Sequence, residues 1–161
     1  MSGERVEVDL GTQRLRLWRD GRLLREYAIS TARAGPGERE GSECTPRGEH
    51  VIGEKIGAGC APGTVFVGRR PTGEIWSPAL RAAAPQRDWI LTRILWLDGR
   101  EPGRNRDGDV DSRNRYIYIH GAPPDVPMGV PGSRGCIRMR DPDLLELLDA
   151  VEAGTPVILH E

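Results

Sequence analysis

Apolar and polar residues alternate in short runs along most of the chain, the period of half-buried strands rather than of helices. Val6, Val8 and Leu10 make the first run, Leu15 and Leu17 the second. Asp20-Gly21 then divides 14–19 from 22–30. That dipeptide suits a two-residue hairpin turn, whose two central positions both need positive φ. The chain therefore opens as a β-meander. Val51 and Ile52, running on toward Ile56, predict another strand, and Val65-Phe66-Val67 within 64–69 one more. Thr45-Pro46-Arg47-Gly48 and Pro71-Thr72-Gly73 read as turns, since Pro presets φ and Gly admits positive values.

Residues 88–97 are the most apolar run, with Trp89, Ile90, Leu91 and Ile94 to Leu97. They predict a buried strand or a pair of strands, although periodicity alone does not separate this from a helix. A short helix is expected at 77–84, starting near Pro78. A longer one follows Asp141-Pro142, with Asp as N-cap and Pro as first helical residue. Leu144, Leu145, Leu148 and Val151 form its apolar stripe and Gly154 its C-terminal cap. Residues 155–159 read as a final strand. Residues 31–43 carry no period and read as an exposed loop. Residues 99–115 read as a solvated loop, a lid beside a site being the functional version of that reading. The whole is a mainly β fold with one C-terminal helix and short additional helices. No repeat or shift of composition divides it, so 1–161 is expected to be one domain.

Charge narrows the function classes. The 161 residues hold 23 basic and 24 acidic side chains, for a net charge of −1. All the basic residues except Lys55 are arginine, but without a charge excess this does not argue for nucleic acid. No apolar run approaches the length of a membrane span. Met1 to Val6 lacks a charged region followed by an apolar one, so no secretory signal is read there. The protein is then cytoplasmic, or an export segment has been removed. Three cysteines do not make a disulfide framework. Cys44 and Cys60 would pair only in an oxidising compartment, and buried free thiols are the simpler expectation. A zinc site from Cys44, His50 and Cys60 lacks paired cysteine spacing and a fourth ligand. His50 reads as a strand-surface residue, and His160 receives no role. Asp107-Gly108-Asp109-Val110-Asp111 resembles a calcium loop, but no closing Glu follows and four arginines offset its acids.

The chemistry concentrates later. From Arg115 to His120 the alternation sends Ile117 and Ile119 toward the core and Tyr116, Tyr118 and His120 to the opposite face. A stiff loop with four prolines then leads to Ser133-Arg134-Gly135-Cys136-Ile137-Arg138-Met139. A free thiol is mostly protonated at neutral pH, so a cysteine nucleophile needs a base. His120 can take its proton or, once charged, stabilise the thiolate. The imidazole needs an acceptor on its other nitrogen, which a backbone carbonyl or Asp125 can supply. Gly135 permits a tight turn before Cys136, and the amides of Gly135 and Cys136 can face a developing oxyanion. Arg138 can hold a substrate carboxylate through its planar fork.

Ile119-His120-Gly121 followed by Ser133-x-Gly135-Cys136-Ile137-Arg138-Met139 resembles the signature of the L,D-transpeptidase (YkuD-type) catalytic domain family. The first hairpin, Thr45-Pro46-x-Gly48 and the C-terminal helix and strand fit the same family. The resemblance implies a β-sandwich-like catalytic fold and an enzyme that remodels bacterial peptidoglycan. Cys136 would attack the L-centre carbonyl of the third residue of a tetrapeptide stem and expel D-Ala. The thioester would pass to an amine, giving a 3→3 cross-link or an anchored protein, or to water, as in an L,D-carboxypeptidase. His120 would be the base, oriented by the Gly121 carbonyl, with Gly135 and Cys136 as the oxyanion hole. Ser133 would brace the site, and Tyr118, Arg134 and Arg138 would meet substrate. The resemblance implies no cofactor and no metal, carbapenems as covalent inhibitors, and a periplasmic or cell-envelope location. Many members have His where this chain has Arg134, and the fixed charge there is expected to favour the thiolate. A sortase-like enzyme would need longer spacings, and a papain-like protease would place Cys before His. A non-catalytic cell-wall-binding module would be expected to lose Cys or His, and both are present.

Overall fold

The structure is a computed structural model and describes residues 3–161. Its first three strands, β1 (Glu4–Asp9), β2 (Arg14–Arg19) and β3 (Arg22–Ala28), form the expected meander. Asp20 and Gly21 join β2 to β3 with φ of 49° and 80°, the mirror-image turn their sequence suits. Then come β4 (Gly48–Ile56), β5 (Thr64–Val67), β6 (Arg70–Ile75), the short helix α1 (Pro78–Ala83) and β7 (Ile90–Gly99). β8 (Tyr118–Ala122), β9 (Ile137–Arg140), α2 (Asp141–Ala150) and β10 (Pro156–His160) complete the chain.

All ten strands belong to one curled sheet, in the order β3-β2-β1-β10-β4-β7-β5-β6, with β8 and β9 branching from β7. Most of the 88–97 run, from Ile90 on, therefore lies in a single central strand. β4 and β5 share one of its edges in succession, and β8 takes the other. β8 and β9 lie parallel, with His120 opposite Arg138. Most strands alternate buried and exposed side chains, as their sequences do.

The main core packs the meander, β10, β7 and β8 against α2 through Leu144, Leu147 and Val151. Burying each such side chain contributes about 1.5–3 kcal/mol, so α2 is held by its stripe more than by helix propensity. Ile117 and Ile119 enter this core, while Tyr118 joins Phe66 and Ile94 in a second cluster that touches Cys136. Trp89, Leu91 and Val65 form a third, against which Leu80 of α1 packs.

Several expectations change. Pro71-Thr72-Gly73 lies inside β6, and the turn falls earlier at Gly68 and Arg69, with φ of 56° and 66°. β6 ends the sheet, where a Pro costs no ladder hydrogen bond. The N-cap of α2 is Arg140, with Asp141 as its first residue, and the helix stops at Ala150. Gly154 instead turns the chain into β10. Leu147 takes the buried position expected of Leu145. Residues 31–43 are not simply an exposed loop, for Thr31 and Ala32 are buried. Nor is 99–115 merely solvated: Asn105 and Ser112 are fully buried, and Asn105 donates to the carbonyls of Arg47 and Glu49. Polar groups tied to backbone hold both segments, and hydrophobic periodicity carries no trace of such ties.

Candidate active site

His120 and Cys136 line one cleft of about 540 Å³ together with Arg69, Asp88, Arg115 and Arg138. The parallel pairing of β8 and β9 is what brings their ends together. His120 is 1 % exposed, and its Nδ1 lies 2.6 Å from the Gly121 carbonyl oxygen. A carbonyl can only accept, so Nδ1 carries the ring proton and Nε2 keeps a lone pair. That is the tautomer a base needs. Asp125, the other acceptor considered, pairs with Arg81. Only glycine fits at 121, because a Cβ there would lie 2.1 Å from Asp141 Oδ1 and 2.6 Å from the Leu91 carbonyl oxygen.

The thiol of Cys136 donates to the Tyr116 carbonyl at 3.3 Å and accepts from the Tyr118 amide at 3.4 Å. Tyr116 holds φ of 57°, a left-handed conformation that side chains rarely adopt. β8 accordingly starts only at Tyr118, and Tyr116 stays exposed. Burial pushes the Cys136 thiol up to about 12. Burial also depresses His120, against the opposing hydrogen bond to Gly121. Burial thus favours the neutral form of each, thiol and imidazole. Asp88 opposes the thiolate and favours a charged His120, while Arg138 and Arg115 favour the thiolate. Arg134 lines the same cleft, and its guanidinium lies 3.5 Å from the Gln86 carbonyl.

The loop before Cys136 is held by small polar side chains. Ser133 Oγ donates to the Cys136 carbonyl at 2.5 Å and accepts the Gly135 amide at 3.2 Å. The Gly135 amide is thus engaged inside the loop. The Cys136 amide has no acceptor among the described residues, which leaves it as the amide free to meet an oxyanion. Gly135 itself has φ of 134°. Its carbonyl accepts from the buried Thr45 Oγ1 at 2.9 Å, and Thr45 Oγ1 accepts in turn from the Ala32 amide. Thr45-Pro46 is more than a turn, because Thr45 ties the cysteine loop to residues 31–36. Those residues also run beside it: Arg33 donates to Ser133, and Ser30 exchanges two backbone hydrogen bonds with Arg138.

Sequence reasoning missed three site residues. In the sequence, Thr45-Pro46 signals a turn, and nothing there marks the role of the Thr45 hydroxyl. Asp88 lies 3.4 Å from Arg138 and looked like the polar edge of an apolar run. Arg115 donates to the carbonyls of Glu38 and Cys44 at 2.9 and 2.7 Å, and no signal separates it from the other arginines of its loop. Tyr118 Oη accepts from Arg69 at 3.0 Å, and Arg69 also stacks on Trp96 and Tyr116.

The other candidate ligands go elsewhere. His50 is not on the surface: it is buried, with Nδ1 at Gly48 O and Nε2 2.7 Å from Ser112 Oγ. Cys44, Cys60 and Cys136 are all free thiols. Asp111 caps the amides of Asp107 and Asn114, and Asp109 pairs with Arg39. Among the described residues, Glu7, Asp9 and His160 form the one group with metal-ligand spacing. Arg16 bonds both of those carboxylates and His160 bonds Glu7, so the group is an ion network closed on itself. No described helix is long and apolar enough to cross a membrane.

Comparison with known proteins places the fold. The fold matches an L,D-transpeptidase from Xylanimonas cellulosilytica at 22 % identity and a TM-score of 0.57, covering 99 % of this chain and 61 % of that one. It matches LdtMt1 in complex with imipenem at 19 % and 0.59, covering 99 % and 59 %. It matches L,D-transpeptidase 3 from Mycobacterium tuberculosis, in complex with a faropenem-derived adduct, at 18 % and 0.60, covering 99 % and 61 %. The chain spans about three fifths of the length of these proteins. No curated protein matches the sequence. The model of the YkuD L,D-transpeptidase catalytic domain matches residues 3–159, and with Cys136, His120 and Arg138 gathered in one cleft the chain belongs to that family.

Proposed function

We propose that the protein is a cysteine-dependent peptidoglycan L,D-transpeptidase. The observation that carries the reading is His120, buried with Nδ1 committed to the Gly121 carbonyl and Nε2 left basic, in the same cleft as Cys136. As a stem carbonyl approaches, the Cys136 thiol leaves the Tyr116 carbonyl and gives its proton to His120 Nε2 while Sγ bonds to the carbonyl carbon. The developing oxyanion faces the Cys136 amide. Collapse breaks the bond to D-Ala, whose amine takes the proton from His120. An amine of a second stem then attacks the thioester, gives its proton to His120, and releases the new amide as His120 returns a proton to sulfur. Water in place of the amine gives the L,D-carboxypeptidase outcome. Asp88 stabilises the imidazolium that forms in between, and no step calls for a cofactor. The substrate implies the cell envelope as the compartment. One structural neighbour in complex with imipenem and another with a faropenem-derived adduct support β-lactam acylation of Cys136.

Intact mass after incubation with imipenem tests the nucleophile. Wild type gains one adduct and Cys136→Ala gains none; an adduct on Cys136→Ala, or none on wild type, sinks the assignment. Incubating a disaccharide-tetrapeptide with and without an acceptor stem separates cross-linking from trimming, and failure to release D-Ala in either case refutes both. A retained adduct without any turnover of stems would mark a binding module.

A further inference from the structure

A second cavity, of about 530 Å³, adjoins the cysteine cleft, and the two share Asp88, Ser133, Arg134 and Arg138 as a common wall. Five arginines line it, Arg33, Arg81, Arg87, Arg134 and Arg138, against two acids, Glu43 and Asp88. That is a local excess of positive charge in a chain whose net charge is −1. Three of the arginines are spoken for: Arg81 pairs with Asp125, Arg87 with Glu74 and Arg138 with Asp88. Neither Arg33 nor Arg134 meets a carboxylate among the described residues. Arg134 has only the long contact to the Gln86 carbonyl, and both side chains are exposed. The backbone beneath them is fixed, since the Arg33 amide donates to the Ser133 carbonyl at 2.9 Å. Two guanidinium forks thus stand without an acid partner, Arg134 on the wall shared with the nucleophile's cleft and Arg33 in the adjoining cavity. Such forks match carboxylates in charge and in bidentate shape.

We propose that this cavity is a polyanion subsite that selects donor stems with free carboxylates on their second and third residues. This rests on the transpeptidase reading for the identity of the peptide. A stem with a γ-linked D-Glu and diaminopimelate carries one free carboxylate on each, close to the scissile carbonyl. Amidation of these two groups removes both charges without altering the reacting bond or the C-terminal D-Ala. The Arg33 and Arg134 forks engage the two carboxylates, while Arg138 remains with Asp88 beside the thiol.

The test uses equilibrium binding to Cys136→Ala, which holds a stem without consuming it. The probes are L-Ala-γ-D-Glu-diaminopimelyl-D-Ala and the same peptide amidated at the two side carboxylates, measured by calorimetry. The free peptide is expected to bind about tenfold tighter, with a gap that narrows as salt is raised. Adding Arg33→Ala and Arg134→Ala should bring the two affinities within about twofold, and Arg33→Lys with Arg134→Lys should keep part of the gap. Equal affinities, binding of neither peptide, or a gap that survives both alanine substitutions overturns the proposal. Release of D-Ala by the wild type separates this from the parent reading. A persistent gap without release leaves the subsite standing and removes the transpeptidase. Equal release and equal affinity do the reverse.

Discussion

At the scale of single residues, burial favours the uncharged form of both reacting groups. Burial pushes the Cys136 thiol up to about 12 and depresses His120, so the pair is no preformed thiolate and imidazolium. Alkylation of Cys136 by iodoacetamide should therefore rise with pH through 9 without a plateau. A plateau beginning near pH 6 would show an ion pair and reject this account. Gly121 is equally exposed to test. With Asp141 Oδ1 and the Leu91 carbonyl where a Cβ would go, Gly121→Ala must shift backbone, and it should cost about 1–3 kcal/mol along with most activity. Unchanged urea melts would contradict it. His50 gives a pH prediction outside the site. Burial pushes it down to about 4, whereas in the unfolded chain it titrates near 6.5. Between those values the unfolded state binds more protons, so stability present above pH 6.5 falls toward pH 4, by about 3 kcal/mol. His120 shares that direction. His160, raised by its hydrogen bonds to the Glu161 carbonyl and Glu7, opposes it. The diagnostic is therefore the difference between wild type and His50→Gln in urea titrations from pH 7 to 4.5. Parallel curves would refute it.

At the scale of elements, strands were legible in the sequence at β1, β2, β4, β5, β10 and, from Tyr118 on, β8, as was the Asp20-Gly21 turn. So was α1, since Ser77 Oγ accepts the Leu80 amide and Pro78 starts the helix. Each rests on side chains that either sort between core and water or suit one backbone conformation. β6 was not legible, because an edge strand exposed nearly throughout has no face to sort. Likewise residues 31–36, 45 and 105, whose order comes from polar ties, gave no periodic signal. Thr45 is the clearest case. Its hydroxyl bridges the Ala32 amide and the Gly135 carbonyl at full burial, so Thr45→Val keeps the shape and strands two buried polar groups. We expect a loss of about 2–4 kcal/mol and a larger proportional fall in activity than in stability, since the tie ends at the residue before the nucleophile. Thr45→Ser should recover much of both. If Thr45→Val keeps wild-type turnover, this tie does not set the position of the cysteine loop.

At the scale of the whole molecule, the site is assembled from segments far apart in sequence, which is why only its string-like part could be read. His120, Gly121 and Cys136 sit within one stretch of the chain. Asp88 and Arg115 arrive through the sheet, and in a chain whose cations are almost all arginine no local pattern marks the one that matters. Arg115 is half-buried and faces no acid within ion-pairing distance among the described residues. It closes over the carbonyls of Glu38 and Cys44 instead, joining the loop before β8 to the segment that carries Thr45. It also favours the thiolate of Cys136, so one side chain couples loop order to nucleophile charge. Arg115→Ala leaves both carbonyls without that donor and should cost about 1–3 kcal/mol. The Gly37 and Thr45 amides bond to the Thr45 and Gly35 carbonyls within the strapped segment. Their hydrogen exchange should accelerate by an order of magnitude or more, while the β1 and β10 amides keep their protection. Arg115→Lys restores a charge but not the fork, so it should recover thiol reactivity more fully than exchange protection. Faster exchange across every strand alike would mean global unfolding, and unchanged exchange at Thr45 would mean that Arg115 straps nothing. Only selective loss, with the two properties parting in the lysine variant, fits one arginine serving both the segment and the thiol.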